Sequence, residues 1–597
     1  MLQDQDLVAL QEVRTKVQQA YAAWQKYSTF SQGQIDRVVD HVAATAREHS
    51  QRLAEMAAEE TGYGNARDKL AKNLLAAELL PKRMHGMKTV GVLRDDSELK
   101  VVEIGVPMGV IAAILPTTNP TSTAIYKILI CLKSGNGIVL SPHPRAKRCS
   151  CETATLLAQA ALEAGAPAGI VGCIFNSTVE TTNELMRHRR TAAILSTGGS
   201  GIVKAAYSSG KPAFGVGPGN VPVVIEKSAD VNDAVAKVVA GKSFDYGTLC
   251  SSEQAIVAEE SLRESVLAAL KTNNAYLCDA KQGDALGKLL LTPQFTVNAD
   301  CVGQPAPKIA QMAGFQVPQD IRVLAAEVGG VGKQYPLSAE KLSPVLSLFF
   351  VKDFPAALDT AEAILRFGGL GHTCAIYSKD DTKIREFAVR MPAMRILCNT
   401  PTPQGSTGIT TNLFPAMTLG CGAAAGNITG DNIGPLNLIN IKRLAYEVRK
   451  PEEAFDMPAA RLGPARAPIS GGSQDVDKQT IISAVERYLA QRGIPMTPTP
   501  SEKMSTPAVA EVVDRFLSSK RTATPAVVPP AAPAAIPPPQ PEIPDLSVAI
   551  VDFVCEYDVR NAINKSQKIY IGPKTIVTPA ARDLASQHEI LIMAKRR

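Results

Sequence analysis

Apolar residues recur at three- and four-residue intervals through "IDRVVDHVAATAREHSQRLAEMAAEE", and residues 1–85 as a whole read as helices. From about Val101 the period changes. Short apolar runs such as "GVIAAIL", "GIVLS", "AGIVGCIF" and "AAILST" alternate with helical stretches such as "CETATLLAQAALEAGAP". Strands alternating with helices of this length predict βαβ units and a doubly wound parallel sheet, an α/β fold. A second α/β stretch runs over 242–425, with "VLSLFFV", "CAIYS" and "MRILCN" as its strands.

After about Gly463 the texture breaks. Two amphipathic helices are expected first, within 475–493 and 506–519. One puts Ile481, Ile482, Val485, Tyr488 and Leu489 on a single face and stops at Gly493 and Pro495. The other has Thr506 as N-cap, Pro507 at the first helical position, and Val509, Val512, Val513, Phe516 and Leu517 on one face. The related cores "VERYL" and "VDRFL" suggest two copies of a peptide that docks in a hydrophobic groove, or two helices that fold back onto the body. The tract Thr522–Pro544, rich in Pro and Ala, reads as an extended linker. Beyond it, Leu546–Arg597 regains apolar alternation and reads as a small module or a docking tail.

Composition narrows the classes. A chain of 597 residues exceeds one compact core, so two or more domains are expected. The net charge of +6, spread over 63 basic and 57 acidic residues, is too diffuse to suggest nucleic-acid binding. No apolar run reaches the roughly 18–20 residues that span a bilayer. The N-terminus carries early acids and no signal-peptide core, so a cytoplasmic protein is expected. The 11 cysteines follow no disulfide spacing and should be reduced, and the 7 histidines form no HxxxH or HExxH pair, so no metal site is expected.

Four places carry candidate chemistry. In "LSTGGSGIVKAAYSSG" the glycines Gly198, Gly199 and Gly201 follow a strand and open a helix, which lets backbone approach a phosphate or simply makes a tight turn. Asn119, in "ILPTTNPTST", can donate its amide to a developing oxyanion or close an Asx-turn. Cys250, in "FDYGTLCSSEQ", stands among Gly247, Thr248, Ser251 and Ser252, and reads as a nucleophile or a packed thiol. His372, in "RFGGLGHTCAIY", reads as an acid, base or donor beside a thiol, or as a structural histidine.

The ordered set "PTTNPTST", "STGGSGIVKAAYSSGKPAFGVGPGNVPVVIE", "FDYGTLCSSEQ", "EKLSPVLSLF" and "GGLGHTCAIY" resembles the CoA-acylating branch of the aldehyde dehydrogenase superfamily, over roughly Gln32–Arg449. The resemblance implies a Rossmann-like cofactor domain with the N-terminal helices over 1–241, including a β arm near 88–105. It implies a catalytic domain over 242–425 and a return to the cofactor domain and arm over 426–463. The docking helices, linker and tail then fall at 464–520, 521–545 and 546–597. It further implies that Cys250 is the nucleophile, Asn119 the oxyanion donor and His372 a third catalytic residue. By the same match, Thr117, Thr118, Thr197, Gly198, Gly199, Gly217, Glu340 and Leu342 line the cofactor site, with Glu340 at the nicotinamide-side ribose. Ser141 and His143, from "SPHPRAKR", would line a pocket for the adenine ribose of NAD and CoA, although His143 also reads as a turn residue.

The implied chemistry is attack of Cys250 on an aldehyde, hydride transfer to NAD (NADP less favoured), and a thioester on the cysteine. Hydrolytic relatives carry a water-activating glutamate where this chain has Val216, and no acid occurs between Gly198 and Ile225. Coenzyme A is therefore the expected acyl acceptor, and a C2 or C3 aldehyde the expected substrate. A homodimer or homotetramer is implied as well. The C-terminal appendages resemble encapsulation peptides, which would dock the enzyme on a bacterial microcompartment shell protein. The competing readings are a hydrolytic aldehyde dehydrogenase, a Cys–His hydrolase, and an inactive shell-binding scaffold.

Overall fold

The computed structural model describes residues 4–455, Ser483, 551–565, 567–588 and 590–593. The chain divides into two compact units, Met1–Ala465 and Arg466–Arg597. In the first, helix Gln5–Tyr27 starts at Asp4, whose carboxylate accepts from the Asp6 and Leu7 N–H groups. Helix Gln32–Glu48 starts with a Ser31/Gln34 capping box. The three- and four-residue spacing is realised as buried faces, Val13, Val17 and Ala20 on the first and Ile35, Val38, Val39 and Val42 on the second. Among the described residues no helix is long and apolar enough to cross a membrane.

A five-stranded, wholly parallel sheet follows, in the order Val171–Cys173, Gly137–Ser141, Val110–Ile114, Thr191–Thr197, Ala213–Val216. Chain order reverses on either side of Val110–Ile114, so a crevice opens beyond its carboxyl end, where doubly wound sheets bind ligands. A second parallel sheet has seven strands, in the order Ala275–Leu277, Val323–Glu327, Val345–Val351, Glu253–Glu259, Val221–Ile225, Gly371–Tyr377, Ala393–Cys398. One boundary therefore differs from expectation. Strand Val221–Ile225 lies inside the second sheet, so the chain changes sheets at Gly217–Asn220 and not at 241/242. A strand buried on both faces reads as an unbroken apolar run, and such a run does not announce its sheet.

Strands Gly91–Asp96, Val101–Pro107 and Ile439–Ala445 form a separate antiparallel sheet, which overlaps the segments expected to make the arm and runs two residues past 105. Of the second unit, residues 551–593 build a βαβαβ module. Its parallel strands Val551–Val554, Ile569–Val577 and Leu591–Met593 enclose a core of Val554, Val559, Ala562, Ala581, Ala585 and Ile590. The described part of the segment expected as a small module or docking tail is thus folded about a core of its own. The linker over 521–545 and both amphipathic segments, Ser483 apart, lie outside the described residues.

Candidate active site

Three loop ends bring the candidate side chains together. Strand Val110–Ile114 runs into Leu115–Asn119, and Pro120 begins the next helix. Asn119 is that helix's N-cap by position, but its side chain makes no cap bond, so the Asx-turn reading does not apply. Cys250 lies in the turn between a 3-10 segment, Phe244–Gly247, and strand Glu253–Glu259. His372 starts strand Gly371–Tyr377.

The two sequence-distant groups meet. His372 Nε2 is 3.2 Å from Cys250 Sγ, and His372 Nδ1 is 2.9 Å from Thr373 Oγ1. His372 is fully buried, and burial together with the nearby Arg395 lowers it to about 3, so the ring is neutral at physiological pH. Cys250 keeps part of its surface open, yet surrounding protein raises its thiol to about 12. Burial is the main cause, Glu340 adds to it, and Arg395 opposes it. At rest the pair is therefore thiol and imidazole. Arg395, itself buried, donates to the carbonyls of His372 and Gly420 at 2.7 Å each and to Gly430 O at 3.0 Å. Gly219 fits against the thiol loop only because it lacks a side chain. A Cβ there would lie 2.0 Å from Cys250 O and 3.2 Å from His372 Cγ.

Sequence reasoning missed a buried charged cluster on the other flank. Asp245 accepts from Lys69 Nζ (3.1 Å), Lys72 Nζ, Thr248 Oγ1 (2.6 Å) and Asn65 N (2.8 Å). Lys72 Nζ also donates to Asn119 Oδ1 at 2.5 Å, and Lys69 Nζ to Thr118 O at 3.1 Å. Burial works to raise the Asp245 carboxyl, but Lys72 and Lys69 outweigh it and hold the group below its ordinary range. Burial brings Lys72 down to about 8 against the pull of Asp245. Asp245 and Tyr246 have φ of +46° and +53°, an unfavourable backbone for residues with side chains. Gly64, with φ of +70°, is required opposite them, since a Cβ would lie 1.9 Å from Asp245 Oδ1. Nothing in "NARDKLAKNL" signals this, because lysines on a short helix read as its solvent face.

Two of these loops, Leu115–Asn119 and the Cys250 turn, border one cavity of about 720 Å³. Cys250, Asn119, Thr117, Thr118, Glu340 and Leu342 line it at one region of the wall or another, as do Thr197, Gly198, Gly199 and Gly217. Ser141 and His143 also line it. His372 is the exception among the expected site residues: it lies behind Cys250 and off the wall. Ser141 Oγ is tied to Thr182 Oγ1 (2.8 Å) and Ser177 Oγ (3.1 Å), so it shapes the wall. His143 does act in a turn, its Nδ1 accepting from Arg145 N at 3.1 Å. Helix Ser200–Tyr207 opens on the cavity with Gly199 as N-cap and no side-chain cap bond. A Cβ on Gly199 would meet nothing within 4 Å. Uncapped N–H groups beside open space suit a phosphate. Val216 is on the wall, and Glu340 is its one carboxylate among the described residues. Burial raises Glu340 from 4.5 to about 8, against a 3.1 Å hydrogen bond from Gly219 N.

The aldehyde dehydrogenase family profile matches residues 5–295. A solved acetylating aldehyde dehydrogenase from Geobacillus thermoglucosidasius is 47% identical, covers 75% of this chain and 99% of its own, and superposes with a TM-score of 0.74. This chain belongs to the aldehyde dehydrogenase family. Its similarity lies with the family's acylating enzymes. The bifunctional aldehyde-alcohol dehydrogenase of Escherichia coli is 44% identical over 439 residues, 73% of this chain and 49% of that protein. The chain thus spans about half the length of the curated relatives it first matches. A propionaldehyde dehydrogenase from the fucose utilisation bacterial microcompartment of Clostridium phytofermentans is 28% identical, covering 73% of this chain and 97% of its own, with a TM-score of 0.66. The residues matched by the family profile, 5–295, lie within the first unit.

Proposed function

We propose that this chain oxidises a short aliphatic aldehyde, acetaldehyde or propionaldehyde, to the acyl-CoA with NAD as oxidant. The observation that carries the reading is Cys250 Sγ beside a neutral His372 Nε2, on a cavity wall that has Val216 and, among the described residues, one carboxylate, Glu340, which burial pushes toward its protonated form. Cys250 is the nucleophile. Its proton passes toward His372 Nε2 as the C–S bond forms, so the imidazolium that burial disfavours exists only beside the developing alkoxide. An Asn119 amide N–H and the Cys250 backbone N–H stabilise the alkoxide that results. When bound, the nicotinamide cofactor supplies the hydride acceptor. Thr197, Gly198 and Gly199, at the uncapped helix start, would hold its pyrophosphate, with Glu340 on the ribose side.

The acyl group then rests on Cys250 as a thioester. A water molecule needs a base to attack it. Val216 offers none, and Glu340 holds its proton below about pH 8. A thiol needs less help, which supports coenzyme A as acceptor, bound along the Ser141 and His143 side of the wall. The names of the acetylating relatives point the same way. NADH formation with C2 to C6 aldehydes, NAD or NADP, each with and without CoA, tests this. Full-rate NADH formation without CoA, or normal turnover in Cys250→Ala, would overturn it. The microcompartment relative and the amphipathic sequence patterns at 475–493 and 506–519 together support encapsulation, as a homo-oligomer attached to a shell protein.

A further inference from the structure

We propose that Lys72 is a positioning residue that fixes the orientation of the Asn119 amide and so aims its NH2 group at the reacting oxygen. The inference rests on the preceding assignment of Asn119 as oxyanion donor. A side-chain amide has two ends of similar shape and opposite hydrogen-bonding sense, and nothing in its own geometry chooses between them. Lys72 makes the choice here. An ammonium has three donors and no acceptor, so the amide atom 2.5 Å from Lys72 Nζ has to be the oxygen. The nitrogen is thereby turned the other way, where one N–H goes to Thr118 Oγ1 at 3.0 Å and the second is left for a ligand in the cavity that Asn119 lines.

Lys72 is in turn held in one place. It is 1% exposed, Asp245 accepts from it, and Thr248 Oγ1 lies 3.4 Å away. Asp245 also gathers Lys69 and the Thr248 hydroxyl, two residues before Cys250. The same carboxylate therefore ties the loop before the thiol to the amide across the cavity. The residues with positive φ, Asp245 and Tyr246, belong to this link. A flipped or wandering amide would present a carbonyl oxygen to the developing alkoxide, and two acceptors facing each other repel.

A double-mutant cycle on the full chain tests the proposal, with thermal melting run beside kcat and KM. Asn119→Ala alone should lower kcat/KM by about 10²–10³-fold. Lys72→Met alone should lower kcat by about 10–100-fold while the cofactor KM stays within about twofold. Added to Asn119→Ala, Lys72→Met should cost less than about threefold more, since there is no amide left to orient. Losses that multiply in the double variant, or normal kcat in Lys72→Met, would overturn the positioning role. A wild-type Asn119→Ala would instead sink the oxyanion assignment itself. If Lys72→Met does not fold, Lys72→Gln runs the same cycle with an N–H donor retained. Because its amide also carries an acceptor and can hold Asn119 either way round, kcat should fall by about tenfold with Asn119 present and by less than about threefold on Asn119→Ala, and equal losses in the two backgrounds overturn the proposal.

Discussion

At the scale of single residues, the site works by burial more than by charge. Cys250, His372 and Glu340 are all displaced toward their neutral forms, to about 12, about 3 and about 8, with burial the largest cause in each case. Two outcomes follow. Iodoacetamide labelling of Cys250 in the ligand-free enzyme should be slow at pH 7 and still be rising at pH 10, with no inflection near 6.5; a plateau below pH 8 would contradict the stated environment. Glu340 binds its proton more tightly in the fold than in the unfolded chain. Its contribution to stability is therefore present below about pH 4.5 and lost as pH rises through about 8. Wild-type Tm should fall between pH 6 and pH 8 more than the Tm of Glu340→Gln does. Much of this scale was readable beforehand. Cys250 stood out for its small polar neighbours, Asn119 for a Pro/Thr loop directly after a strand, and the glycine-rich turn for its place between strand and helix. Lys72, Asp245 and Arg395 did not, since a buried ion cluster leaves no mark on periodicity or spacing.

At the scale of elements, the link between the two sheets matters most. Residues 217–220 leave the last strand of one sheet and enter the middle of the other, and Gly219 presses on the carbonyl of Cys250 on the way. Gly219→Ala should move the thiol loop by a fraction of an ångström or more. The expected result is a fall in kcat of about 10²-fold with the circular dichroism spectrum unchanged, and a variant within twofold of wild type would refute the tight fit. The strands themselves were legible as apolar runs, and so was their parallel arrangement. Which sheet received "VPVVI" was not, because that is decided by pairing between Glu253–Glu259 and Gly371–Tyr377. Adjacent runs that are equally apolar fit either sheet. Such assignments depend on tertiary pairing that no local pattern encodes.

At the scale of the whole molecule, the two units have separate cores, and the family profile matches within the first. A chain of residues 1–465 should therefore keep kcat/KM within about twofold of the full chain. A larger loss would show that the second unit contributes to catalysis. In the host cell, removal of Gly471–Lys520 should abolish shell association while soluble activity persists. Unchanged co-localisation would end the encapsulation reading. The linker's composition and the apolar return beyond it were both visible in the sequence. The order of the three-stranded module at 551–593 was not, since its short strands carry too few residues to declare their neighbours.

The resting state of Cys250 has a further consequence, for the lifetime of the enzyme. Peroxides and other oxidants attack the thiolate far faster than the thiol. Under the proposed mechanism, a sulfur held protonated until an aldehyde draws its proton toward His372 is thus shielded from oxidative wear between turnovers. The catalyst that spends most of its time waiting does so in its least damageable form.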